Sequence, residues 1–144
     1  MKKTEKITVR DCYQNLSPVP DKLSKDASLP DIIKLLARYK SCRSVFVVDK
    51  NNKLKGIVTA KSLIKILGKT HAADFNIPRM GDILAQTAED FMIPARYVTL
   101  NDTIEDALKK AALFELEDLP VIENDEIVGV IDCFELLLNA PNIT

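Results

Sequence analysis

The chain has 144 residues, 47% hydrophobic and 28% charged, with a net charge of −1; it is long enough for one compact domain or for two half-size units sharing a core. Near-neutral charge gives no general attraction to nucleic acid or anionic lipid, and the absence of Trp leaves little for base stacking. No apolar run approaches the roughly 20 residues that span a bilayer.

The first predicted element lies within Ile7 to Leu16, where Thr8-Val9-Arg10-Asp11-Cys12-Tyr13 reads as a short helical lead-in opened by a hydroxyl. Pro18 and Pro20 then force an extended segment. A well-marked helix follows: Ser28 is its cap, Pro30 lies in the first turn, and Leu29, Ile32, Ile33 and Leu36 recur at helical spacing. Ser44-Val45-Phe46-Val47-Val48 and Leu54-Lys55-Gly56-Ile57-Val58 flank a polar Asn51-Asn52 turn and predict a β-hairpin. Thr59 starts the next helix, with Leu63, Ile64 and Leu67 on its apolar side.

Residues from Gly68 to Ala85, broken by Gly68, Pro78 and Gly81, read as a connector with a short helix around Asp82–Gln86. The same order of signals then returns. Thr87-Ala88-Glu89-Asp90-Phe91-Met92 matches the first lead-in, and Ile93-Pro94 matches its proline segment. Thr103 caps a helix with Ile104, Ala107, Leu108 and Ala111 in the same register as before. Leu119-Pro120-Val121-Ile122-Glu123 and Ile127-Val128-Gly129-Val130-Ile131 form a second hairpin, and Asp132 starts a helix carrying Leu136, Leu137 and Leu138. Cap and apolar stripe repeat together, so the chain is an internal duplication: repeat 1 at 7–68, connector at 69–86, repeat 2 at 87–140. Each unit is strand–helix–strand–strand–helix, too small to bury both sheet faces alone.

Catalytic and metal signals are missing. Cys12, Cys42 and Cys133 show no CxxC spacing, and zinc would have to join all three to His71 from four distant segments. The basic start, Met1 to Lys6, leads into no apolar signal core, so a reducing cytoplasm is the expected location. There is no Gly-x-Ser-x-Gly, no glycine-rich phosphate loop and no basic recognition helix. An enzyme is not expected.

The doubled pattern of lead-in, capped helix, Leu-Pro-Val-Val-Asp-like strand and Gly-Ile-Val-Thr strand resembles the CBS domain, whose tandem pairs are called Bateman modules. The resemblance runs from about Ile7 to Ala140 and implies an α+β fold of two β-α-β-β-α repeats packed about a pseudo-two-fold axis. It further implies a regulatory homodimer that binds AMP, ATP or S-adenosylmethionine in a cleft between repeats and signals to a partner protein. No cofactor is required, and neither nucleic acid nor membrane insertion is expected.

The resemblance places ligand contacts at Val45, Phe46, Thr59 and Ser62, with Arg43 and Lys61 near a phosphate. Ser62 stands where family members carry a ribose-binding Asp, so one neutral hydrogen bond replaces a charge-assisted pair. In repeat 2 the counterparts are Pro120, Asp132 and Glu135, with Glu117 and Asp118 in the places of Arg43 and Ser44. Carboxylates there oppose a phosphate and suit a neutral or cationic ligand better. Thr59 and Asp132 are equally the expected caps of the following helices, and Asp132 with Glu135 resembles a capping box. The alternative reading is therefore a structural, dimerising module whose clefts have lost their ligand.

Overall fold

The computed structural model describes residues 6–39, 42–70 and 86–141. They form two compact units: one runs continuously from Pro20 to Ala95, and the other joins the segment ending at Val19 to the segment beginning at Arg96. His71 and most of the connector lie outside the described residues, as does the helix expected around Asp82–Gln86 apart from Gln86, which is in no helix.

In the continuous unit, α1 (Leu29–Arg38) is followed by the hairpin β1 (Ser44–Val48) and β2 (Leu54–Thr59), then α2 (Ala60–Thr70), α3 (Ala88–Phe91) and β3 (Ile93–Pro94). The sheet has the order β1-β2-β3, antiparallel throughout, and Leu23 adds a one-residue parallel bridge to Val47. The split unit begins with a 3-10 helix (Val9–Asn15) and continues with β4 (Val98–Thr99), α4 (Ile104–Phe114), β5 (Asp118–Glu123), β6 (Glu126–Asp132) and α5 (Cys133–Leu138). Here β4 pairs parallel with β5, β5 pairs antiparallel with β6, and Ser17 bridges to Val130. Leu23 thus stands where Val98 does, and Ile93 where Ser17 does. This is the expected α+β architecture, with the first strand of repeat 1 reduced to the Leu23 bridge.

The caps hold each unit together as well as starting its helices. Ser28 accepts from the Asp31 amide at 3.3 Å and Thr103 from the Asp106 amide at 3.0 Å. Ser28 also pairs through its backbone with Thr87, the cap of α3, and Thr103 pairs with Thr8, the cap of the 3-10 helix. Each lead-in therefore docks beside the start of a long helix. In the continuous unit it drives Ala88 and Phe91 into a core with Leu29, Ile32, Leu35, Val45, Val47, Val58 and Leu63. The buried side of α1 is turned slightly from the predicted stripe: Leu35 is buried, whereas Ile33 is 42% exposed.

Two glycines permit this docking. A Cβ on Gly56 would meet the Met92 side chain and lie 2.9 Å from the Ile93 carbonyl oxygen. A Cβ on Gly129 would lie 2.9 Å from Leu16 Cδ1 and 3.0 Å from Leu16 Cβ. Gly68, within α2, has open space around it. Gly56→Ala and Gly129→Ala should each cost about 1–3 kcal/mol through overpacking, while Gly68→Ala should gain about 0.5–1 kcal/mol of helix stability. Urea midpoints at constant m-value measure both signs; unchanged stability in the first two variants would mean that the lead-ins do not press on the strands.

Candidate functional site

The junction of β2 and α2 collects most of the residues expected at a ligand site in repeat 1. Ser44 lies opposite Thr59 in the ladder, and the Ala60 amide donates to the Arg43 carbonyl at 2.9 Å. Thr59 Oγ1 accepts from the Ser62 amide at 3.1 Å, and Ser62 Oγ donates to the Thr59 carbonyl at 2.9 Å. These bonds cap α2, yet each hydroxyl keeps a function: Thr59 retains its O–H as a donor, and Ser62 retains oxygen lone pairs as acceptors. Arg43 and Lys61 are exposed beside this corner, while Thr59 and Ser62 are half-buried. Val45 and Phe46 are fully buried, so they support the corner from below rather than presenting side-chain surface.

The matching corner of the split unit has different chemistry. Asp118 faces Asp132 across the ladder, and Asp118 is completely buried. Asp132 Oδ1 caps α5 by accepting from the Glu135 amide at 2.9 Å, and its Oδ2 accepts from Ser17 Oγ at 3.4 Å. Glu135 does not reach back to complete a capping box. Its Oε2 accepts instead from Asn15 Nδ2 at 3.3 Å and Asn139 Nδ2 at 3.0 Å. Pro120 is buried opposite Val130 in the same ladder.

Cys12 belongs to this corner too. Its thiol is 3% exposed, and burial, followed by the charge and hydrogen bond of Glu135 and the charge of Asp11, pushes its pKa up to about 11. Sequence reasoning missed Cys12, Asn15 and Ser17 as partners of Asp132 and Glu135. The only available signal was the match between Ser17-Pro18 and Ile93-Pro94, which places both segments against the last strand of a hairpin.

A separate groove of about 750 Å³ opens at the other end of the continuous unit's strands. It lies between the Lys22–Asp26 segment, the β1–β2 turn and α3, with Val47, Val48 and Met92 as apolar wall. At its edge Asp49 accepts from the amides of Lys53 at 3.0 Å and Asn51 at 2.8 Å. These bonds, with Lys55 and Lys53 nearby, hold its carboxyl below the ordinary range. None of the residues expected at the ligand site lines this groove.

Residues 9–69 and 88–140 match the CBS domain. The chain belongs to the CBS domain family. Its CBS fold is similar to that of a CBS domain-containing protein from Thermotoga maritima, at 26% identity over 94% of each chain and a TM-score of 0.80. A structure of CBSX2 in complex with AMP aligns at 20% identity over 93% of this chain and 96% of that one, with a TM-score of 0.68. The CBS domain pair of protein MJ0100, in complex with 5′-methylthioadenosine and S-adenosyl-L-methionine, aligns at 18% identity over 93% and 95%, with a TM-score of 0.70. No curated protein matches the sequence. Among the described residues of this CBS chain, no group of three or more His, Cys, Asp or Glu is placed to hold a metal, and no helix is long and apolar enough to cross a membrane.

The Cys12 environment makes the second CBS corner testable. The raised pKa keeps the thiol protonated: its contribution to stability is fully present below the unfolded value of 9.0 and is lost as pH rises towards about 11. At pH 8 the folded chain should therefore resist iodoacetamide at Cys12, read by peptide mass spectrometry, and Glu135→Gln should accelerate the labelling. Rapid labelling of the unchanged protein would contradict this environment.

Proposed function

We propose that this CBS chain is a regulatory module that takes an adenosine compound (AMP, ATP or S-adenosylmethionine) at the Thr59–Ser62 corner and passes its occupancy to a partner protein. The observation that carries the reading is the convergence of Arg43, Ser44, Thr59 and Ser62 on the start of α2. In this reading the Thr59 O–H donates to a phosphoryl or ribose oxygen, and Ser62 Oγ accepts from a ribose hydroxyl. The exposed Arg43 and Lys61 supply positive charge beside the N–H groups at the start of α2. Ligands of this class in CBSX2 and MJ0100 support the assignment. A ligand that bound two conformations unequally would shift their populations, which is all that a sensor requires.

For the split unit a structural reading is favoured. Asp132 and Glu135 are engaged with Ser17, Asn15, Asn139 and the α5 backbone, which leaves their carboxylates committed to holding the lead-in. No catalytic role is proposed, and the three thiols suit a reducing cytoplasm.

Isothermal titration with AMP, ATP and S-adenosylmethionine tests the site. At least one should bind, and Thr59→Ala should weaken it about five- to ten-fold, the scale of one lost hydrogen bond. Asp132→Ala should leave that affinity unchanged while costing about 1 kcal/mol of stability through the lost cap. Absence of heat with all three compounds would remove the sensor reading.

We further propose a homodimer formed through the second helices, where Ile64 of α2 is 70% exposed and Phe134, Leu137 and Leu138 of α5 are 63%, 57% and 67% exposed. Light scattering on a sizing column should give twice the 16.1 kDa chain mass. Ile64→Glu combined with Phe134→Glu should halve the observed mass; a monomer in the unchanged protein at micromolar concentration would refute the dimer.

A further inference from the structure

The two units give one position opposite charges, and the difference points to a second ligand. The backbone fixes the equivalence: the Glu89 amide donates to the Lys25 carbonyl at 3.0 Å, and the Arg10 amide donates to the Leu100 carbonyl at 2.9 Å. One residue earlier, the Ala88 amide bonds the Ala27 carbonyl and the Val9 amide bonds the Asp102 carbonyl. Glu89 therefore occupies the place of Arg10, and Asp26 that of Asn101. Ladder register sets Asp49 in the place of Glu123.

In the split unit the Arg10 guanidinium donates to Asn101 Oδ1 at 3.2 Å and lies 3.9 Å from Glu123 Oε2. In the continuous unit the acceptor positions are kept as Asp26 and Asp49, and the guanidinium is replaced by a third carboxylate, Glu89. All three line the groove of about 750 Å³, a size typical of small-molecule sites. The split unit thus shows what these positions hold when a cation is supplied from within. We propose that the groove receives a guanidinium group from outside the chain, either on a small molecule such as free arginine or on an arginine side chain of a peptide.

A planar guanidinium suits the place better than an ammonium because its fork of N–H donors can reach two carboxylates at once. An ammonium is already nearby: Lys55 Nζ lies 3.7 Å from Asp49 Oδ2, a single point contact that leaves Asp26 and Glu89 available. Lys22, Lys25 and Lys50 line the same groove and provide an opposite pole, which fits a ligand carrying a carboxylate as well as its guanidinium. The apolar wall of Val48 and Met92 fits the methylene stem between them.

The test is a titration of the full chain followed by amide NMR shifts. Agmatine supplies the guanidinium alone, L-arginine adds the carboxylate, acetyl-arginine amide represents a peptide, and butylamine controls for charge. Saturable shifts should map to Asp26, Asp49 and Glu89 with the guanidinium compounds and be weak with butylamine. Tighter binding of L-arginine than of acetyl-arginine amide assigns the free molecule, and the reverse order assigns a peptide. Glu89→Gln should weaken binding about five-fold, the scale of one exposed charge pair. Glu89→Arg should abolish it by supplying the guanidinium internally, as Arg10 does. Both substitutions fall on an exposed helical position, so an unchanged amide fingerprint away from the groove confirms folding. Absence of saturable shifts, equal response to butylamine, or indifference to both Glu89 variants would overturn the proposal. AMP shifts at Thr59 report on the other site, so the two proposals fail separately.

Discussion

The closing of each sheet depends on how closely a lead-in segment can approach the last strand of its hairpin. That distance is set at Gly56 and Gly129, where a methyl group would collide with Met92 and the Ile93 carbonyl, or with Leu16. Because the strands allow this approach, Ile93-Pro94 and Ser17 pair with them, and the preceding short helices swing their apolar residues into the core. The same docking brings Thr87 to Ser28 and Thr8 to Thr103, so two helix starts share one short stretch of backbone pairing in each unit. Capping, pairing and packing thus reinforce one another. A capping side chain contributes about 1 kcal/mol by itself; here it also fixes the register of the segment that closes the sheet.

Much of this was legible in the residues. Ser28, Thr103 and Thr8 announced their helices through side chains that accept from local amides, and Thr87 through the Asp90 carboxylate that accepts from its amide. Such bonds act over three residues and so leave a mark in short sequence windows. The hairpins were legible for the same reason. Their turns use Asn52, Asn124 and Asp125 at positive φ, conformations that Asn and Asp tolerate better than most residues. The pairing of each lead-in with its sheet was not legible, since it joins Ser17 to Val130 across more than a hundred residues with no local signature. The acidic corner was half legible. Asp132 as a cap followed from its position, but the engagement of Glu135 by Asn15 and Asn139 depends on which segment docks beside it.

Duplication makes each copy a control for the other. The backbone bonds at the helix starts and the hairpin registers agree closely, so differences in side chains at matched positions are differences in chemistry and not in scaffold. At the strand-to-helix corner, Thr59 and Ser62 are half-buried next to the exposed positions Arg43 and Lys61, whereas Asp132 and Glu135 are bound into a network of amides and a hydroxyl. One copy keeps hydrogen-bonding capacity to offer; the other has spent it on cohesion. At the opposite end of the strands the asymmetry reverses, with Arg10 satisfying its acceptors internally and Glu89 leaving a carboxylate at an open groove.

The order in which the segments leave the ribosome gives the split unit an unusual history. Its first piece, ending at Val19, is made early, but the strands that it pairs with begin only after Arg96. The continuous unit has all its partners at hand once Ala95 has emerged, so it can close during synthesis while the early segment waits without its sheet. Separating the repeats within residues 69–86 would therefore not yield two self-sufficient halves. Each fragment would carry the wrong lead-in, with Leu16 facing no Gly129 and Gly56 left without Met92.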